Sequence, residues 1–290
     1  MTASANSSSD SPLSREFESG LRDNRIPPCP IALEKIAEEM SKDEPDLRHL
    51  TQIISSDVAL AAGLVKLANS PYFGAQRRVA SVSEALILLG LDTASQAVAC
   101  IALGEAFPNM RSMERFWDAS AQIASLSGWL ANERQWPGVR PQEAYTYGLF
   151  RDCGIAVLLQ HFPDYTRILQ NANNEQFRSF TDVEDELLPT NHVVMGSMMT
   201  QSWWLPENIC QAVRHHHEIR PDPLKKEAPF RYLVAISQLA EHLLQRNTGR
   251  SRTHEWDKLG DACLDQLGLS EEELEDIEAR TSAVLAEHHA

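Results

Sequence analysis

No two of the five cysteines are close enough in sequence to suggest a metal clamp or a disulfide framework. Cys29, Cys100, Cys153, Cys210 and Cys263 are scattered, odd in number, and form no CxxC pair. That usage fits reduced thiols in a cytoplasmic protein. No apolar run is long enough to span a bilayer, and the opening residues lack the charged and apolar regions of a signal peptide. Cations are also scarce. Twenty-six Lys and Arg against 41 Asp and Glu leave a formal charge of −15, which opposes binding to phosphate backbones, so neither nucleic acid nor membrane is an expected partner. Asn-Gly and Asp-Gly turns are missing, as are period-2 runs of β-branched residues. There is no Gly-rich phosphate loop, no G-x-S-x-G elbow and no HExxH.

What remains is an ordinary globular composition, 43% hydrophobic and 23% charged, with apolar residues at helical spacing almost everywhere. Pro30 opens a helix carrying Leu33, Ile36 and Met40. Asp46 and Asp57 stand where N-caps belong, Ser81 and Glu84 form a capping box, and Asp92 opens a helix from Thr93 to about Phe107. Further helices are expected near 112–134, 141–161, 163–172, 182–204, 206–217, 229–246, 254–267 and 270–287. The fold is therefore expected to be all-α. The polar, Ser-rich residues 1–19 read as a disordered arm and 247–253 as a linker. The acidic segment after it, rich in Glu271–Glu273, Glu275, Asp276 and Glu278, reads as a solvated terminal helix rather than an acidic docking tail.

Three stretches carry a family resemblance. Leu67-Ala68-Asn69-Ser70-Pro71-Tyr72-Phe73-Gly74 resembles the "LANSAYFG" segment of HDOD domains, the HD-related output domains of bacterial signalling proteins. Val82 to Leu91 resembles that family's "SIEEALALLGL", and Ile26-Pro27-Pro28-Cys29-Pro30 its "LPPLP" opening. A fourth stretch, Gly148-Leu149-Phe150-Arg151-Asp152-Cys153-Gly154, looks like the "GLLHDIG" helix of HD-domain phosphohydrolases. The resemblance implies a multi-helix HD-like bundle over residues 20–246, with an N-terminal helical lobe at 26–110 joined near Pro108 and Asn109 to an HD-like lobe at 111–246. Residues 247–290 follow as linker and acidic helices.

The resemblance also implies a degraded metal site. Where HD hydrolases place a first His, Phe116-Trp117-Asp118-Ala119-Ser120 offers Ala119, which has no donor atom. Arg151 replaces the second His, and a guanidinium has no lone pair to give. Gln238 stands for the late Asp and is a poorer ligand. Asp152 alone survives, so no metal and no cofactor are expected. Arg151 is expected to pair with Asp152, because a buried carboxylate without a cation is costly; the rival reading points it outward to an anionic ligand.

His192, His215 and His216 are cleft candidates, read first as hydrogen-bonded interior or rim histidines and second as weak ligands. Successive helical residues point about 100° apart, so at most one of His215, His216 and His217 is expected in the cleft. Asn69, Tyr72 and Phe73 read as a packed corner, with direct partner binding as the alternative.

The expected function is that of a non-catalytic regulatory protein in bacterial signal transduction, binding another signalling protein and open to a nucleotide or other small anionic ligand. The chain leaves no room for a receiver domain before residue 26, so the signal is expected from a separate protein unless the chain is a fragment of a larger one. The alternative is a metal-dependent phosphohydrolase with ligands drawn from Asp152, His192, His215 and His216.

Overall fold

The computed structural model describes residues 26–70, 78–107, 113–218, 228–249 and 253–287. Pro71 to Gly74, with Tyr72 and Phe73, and the Pro108–Asn109 junction lie outside these residues. Every regular element among the described residues is a helix, as the periodicity predicts. No single helix there is long and apolar enough to cross a membrane.

The N-terminal lobe comprises α1 (Ile31–Met40), α2 (Leu47–Ser55), α3 (Val58–Ala68), α4 (Val82–Leu89) and α5 (Leu91–Glu105). Local chemistry sets most of these ends. The Asp46 carboxylate accepts from the backbone N–H of Arg48 and His49, and Asp57 does the same for Ala59 and Leu60. The Ser81 hydroxyl accepts from the Glu84 N–H, while the Glu84 carboxylate turns to the Ala80 N–H rather than closing the box on Ser81. Asp92 is not a cap. Helix α5 starts one residue earlier, behind Gly90, whose φ of 73° lets two helices follow one another without a spacer. Leu33, Ile36, Leu50, Ile54, Leu60, Leu64, Leu86 and Leu103 meet as the core of this lobe.

The second lobe is built on α6 (Glu114–Arg134), α7 (Pro141–Phe150), α8 (Cys153–His161), α9 (Tyr165–Asn174), α10 (Phe180–Asp185), α11 (His192–Ser202), α12 (Glu207–His215) and α13 (Pro229–Thr248). Helices α6 and α7 form an antiparallel hairpin in which Gly148 lies against Ala124 and Ser127. Two predicted helices are each broken in two. The 141–161 pattern divides at Arg151-Asp152, and 182–204 divides between α10 and α11, where the Asn191 side chain caps a new helix by accepting from the Val194 N–H. Both breaks set ionisable side chains into the interior.

The lobes share one continuous hydrophobic core running from Ile26 to Leu285. Trp203 Nε1 donates to the Pro27 carbonyl oxygen across the lobes, and its ring sits edge-on to Phe150 at 6.0 Å. The C-terminal helices α14 (Glu255–Leu267) and α15 (Glu271–Glu287) join the same core. Helix α14 packs on α13, and α15 packs on α13 and α6. Trp136 Nε1 donates to the Leu267 carbonyl oxygen, and Arg134 pairs with Glu273. The acidic terminal helix is thus docked by Ile277 and Leu285, both buried, with Glu271, Glu272, Glu275 and Asp276 exposed.

Candidate metal centre

Arg151 is buried, with 4% of its side chain exposed. Its Nε donates to Asp152 Oδ2 at 3.0 Å, Nη1 to Ser237 Oγ at 3.2 Å and Nη2 to Glu241 Oε2 at 2.6 Å. The expected pairing with Asp152 is present, and Glu241 makes it a three-member cluster. Burial works against both carboxylates. For Asp152 the Arg151 cation, with His216 behind it, overrides burial and holds the carboxyl well below its ordinary value. For Glu241 burial prevails over Arg151 and raises the carboxyl. Gln238 does not face this cluster as a ligand; its Nε2 donates to the His216 carbonyl oxygen at 3.3 Å. Ala119 is half-buried on the first turns of α6, against the core.

The other oxygen of Asp152 faces a second cluster that the helical argument failed to anticipate. Helix α12 stops at His215, with His216 as a C-cap still in α-helical conformation, so only His217 lies wholly beyond the helical spacing. His215 is exposed near Glu218 and Phe230 and takes no part. His216 and His217 both turn inward to meet His192 at the start of α11. His192 Nε2 lies 3.2 Å from His216 Nε2 and 3.0 Å from His217 Nε2. Asp152 Oδ1 lies 3.2 Å from His216 Nε2 and 4.0 Å from His192 Nε2. The three rings are buried, two of them completely.

The outward nitrogens fix the tautomers. His192 Nδ1 is 2.6 Å from Glu184 Oε2, His216 Nδ1 is 2.8 Å from the Val213 carbonyl oxygen, and His217 Nδ1 is 2.5 Å from Glu255 Oε2. Each of these partners is an acceptor, so each Nδ1 carries the proton and each Nε2 presents a lone pair. The three Nε2 atoms then lie within 4.8 Å of one another, with Asp152 Oδ1 beside His216 and, farther off, His192. Such a set calls for a cation. Burial and the neighbouring His217 push His216 down to about 3, so its lone pair stays free. Burial acts downward on His192 too, but Glu184 overcomes it and makes the ring easier to protonate.

Size and charge agree with a divalent ion. Tetrahedral ligation at metal–nitrogen distances of about 2.0–2.1 Å separates ligand atoms by about 3.3 Å, against 3.0–3.2 Å for three of the contacts here. The carboxylates of Asp152, Glu184, Glu241 and Glu255 face the cations of Arg151 and Lys258. Even with Glu241 protonated, the carboxylates outnumber the cations, and a positive ion would restore the balance. The Nδ1–carboxylate pairs are the outer shell that orients metal-bound imidazoles. Tyr165 extends it by donating to Glu184. His217, Glu184, Glu241 and Glu255 were all missed in the sequence, because carboxylates far apart in the chain leave no local pattern.

The close approach of α8 and α11 holds these parts together. A methyl group on Gly154 would overlap the His192 carbonyl oxygen and come within 2.7 Å of the Gly196 nitrogen. Asn69, by contrast, is occupied structurally: its Oδ1 accepts from the Val79 N–H at 2.8 Å and its Nδ2 donates to the Val79 carbonyl oxygen at 2.9 Å. Its amide thus bonds within the corner, while the residue itself is exposed.

Similarity to known proteins agrees with this architecture. A protein from Treponema pallidum (strain Nichols), known as "Uncharacterized protein", is 24% identical over 224 residues, 77% of this chain and 43% of that protein. The chain thus spans less than half the length of that curated relative. The crystal structure named "Putative phosphohydrolase" from Shewanella amazonensis SB2B superposes with a TM-score of 0.65 at 18% identity, covering 93% of each chain. That of a "Putative signal transduction protein" from Marinobacter aquaeolei VT8 gives 0.61 at 24%, covering 92% of this chain and 60% of that one. The HDOD domain model matches residues 26–219, about two-thirds of the chain, and the protein belongs to the HDOD family.

Proposed function

We propose that this chain is a regulatory HDOD protein of a bacterial signalling system, without hydrolytic activity, whose second lobe is held by one buried divalent metal. The observation that carries the reading is the approach of His192, His216 and His217 Nε2 to one another, with Asp152 Oδ1 beside two of them. Three imidazoles and a carboxylate suit zinc. Closure of Asp152 Oδ1 onto the ion would fill the tetrahedron and leave no position for a reactive water, the arrangement of a structural rather than a catalytic zinc. The ion would join the α7–α8 bend, the start of α11 and the turn after α12, while Arg151 neutralises the flank of Asp152 where a hydrolase would keep a second metal ligand. The signalling role is supported by family membership, and the partner is proposed to be another signalling protein. The proposal revises the expectation of no metal while keeping that of no catalysis.

The test is a phosphatase assay on protein loaded with zinc or with manganese, using p-nitrophenyl phosphate and bis(p-nitrophenyl) phosphate. Tight metal binding without turnover of either substrate supports the reading. Turnover that disappears in His192→Ala would establish the rival, a phosphohydrolase with an altered ligand set.

A further inference from the structure

His217 receives its outer-shell partner from beyond the part of the chain that makes the family recognisable. The HDOD match ends at residue 219, whereas Glu255 is the first residue of α14. Its carboxylate is 2.5 Å from His217 Nδ1, and its side chain is 5% exposed. Lys258, one turn on, pairs with Glu255 and also donates to the Arg178 carbonyl oxygen at 3.1 Å, spanning from α14 to the segment before α10. Phe180, on α10, stacks on the His217 ring with centroids 5.1 Å apart. The ring is therefore clamped between α10 and α14.

Resting on the metal reading above, we propose that Glu255 is the positioning residue for His217, and that metal occupancy and docking of α14 are one coupled equilibrium. When Glu255 is in place, the His217 ring has a fixed tautomer and direction and Nε2 points at the ion. When α14 leaves, Nδ1 loses its acceptor, the ring is free to turn, and one ligand of four is weakened. Outer-shell partners of this kind change metal affinity by about 10–100-fold. Linkage is reciprocal, so the metal favours the docked helix by the same factor. The other ties of α14 keep the docking local: Trp256 stacks on His242 at 4.3 Å, and Leu267 accepts from Trp136. A partner that captured the C-terminal helices would thereby lower zinc affinity, and zinc loss would free those helices for capture.

The experiment titrates the full chain with zinc against a chromogenic chelator and follows hydrogen exchange of residues 255–267 with and without zinc. Wild type is expected to bind zinc tightly, Glu255→Gln to bind it about 10–100-fold more weakly, and Glu255→Asp to recover part of the difference. Zinc is expected to slow exchange across α14 in the wild type. The exchange arm needs no variant, so a poorly folded Glu255→Gln does not leave the question open. An affinity for Glu255→Gln within twofold of wild type, or α14 exchange unchanged by zinc, overturns the coupling while leaving the metal centre standing. A wild-type chain that binds no zinc overturns the metal reading itself.

Discussion

His192 Nε2 and His217 Nε2 lie 3.0 Å apart with the opposite nitrogen of each ring already given to a carboxylate, Glu184 and Glu255 respectively. Two lone pairs at that distance repel unless positive charge sits between or beside them, and Asp152 and His216 close the other sides of the same space. The unusual feature of the chain is therefore not the Arg in place of a hydrolase His but the completeness of the shell that lies next to it.

Removing one ligand should remove the metal. His192→Ala is expected to abolish tight zinc binding and to cancel the stabilisation that zinc confers on the wild type, about 4 kcal/mol at a free concentration a thousandfold above Kd. Thermal melts of both proteins with zinc and with a chelator check this. Equal zinc-dependent shifts in the two would place the ion elsewhere.

Arg151→Met keeps much of the volume and removes the charge. Asp152 and Glu241 are then left facing one another across a dry cleft, and breaking a buried pair costs about 3–5 kcal/mol. Urea denaturation should show a loss of that order. A change within 0.5 kcal/mol, roughly the scatter of an exposed substitution, would mean that water reaches the cluster freely.

Gly154→Ala tests the helix contact that seats His192. With Gly196 opposite and the His192 carbonyl oxygen in the way, α8 and α11 must separate, at about 3 kcal/mol or more. Zinc affinity should fall along with stability. A variant that melts normally and binds zinc normally would show that the helices have slack to give.

Away from the metal centre, Glu39 supplies a pH dependence of known sign. The Lys42 ammonium, the Asp46 N–H and His49 together hold its carboxyl down at about 2, against an ordinary 4.5. A depressed carboxyl binds fewer protons folded than unfolded, so its contribution is present above about 4.5 and is lost as pH falls toward 2. Melting temperature in that window should fall less steeply in Glu39→Gln than in the wild type. An identical slope would show that Glu39 does not fasten the α1–α2 corner.

Much of the architecture was legible because it is written locally. Asp46, Asp57 and Ser81 cap helices through neighbours two or three residues away, and apolar periodicity marks the faces that bury. Arg151 with Asp152 was legible as a pair because a buried carboxylate needs a cation. The metal shell was not, for two reasons. Its outer carboxylates come from distant parts of the chain, and reading the His215–His217 run as continuous helix left out His217. Pro221, six residues beyond His215, stands too far on to mark that helix end.

The most direct test of the account is metal analysis of protein purified without added metal, followed by X-ray absorption at the edge of whatever metal is found. The account predicts one zinc per chain, with three nitrogen ligands at about 2.0–2.1 Å and one oxygen at about 2.0–2.2 Å. A chain that carries no metal, and that takes up none when offered zinc, manganese or iron, would contradict it.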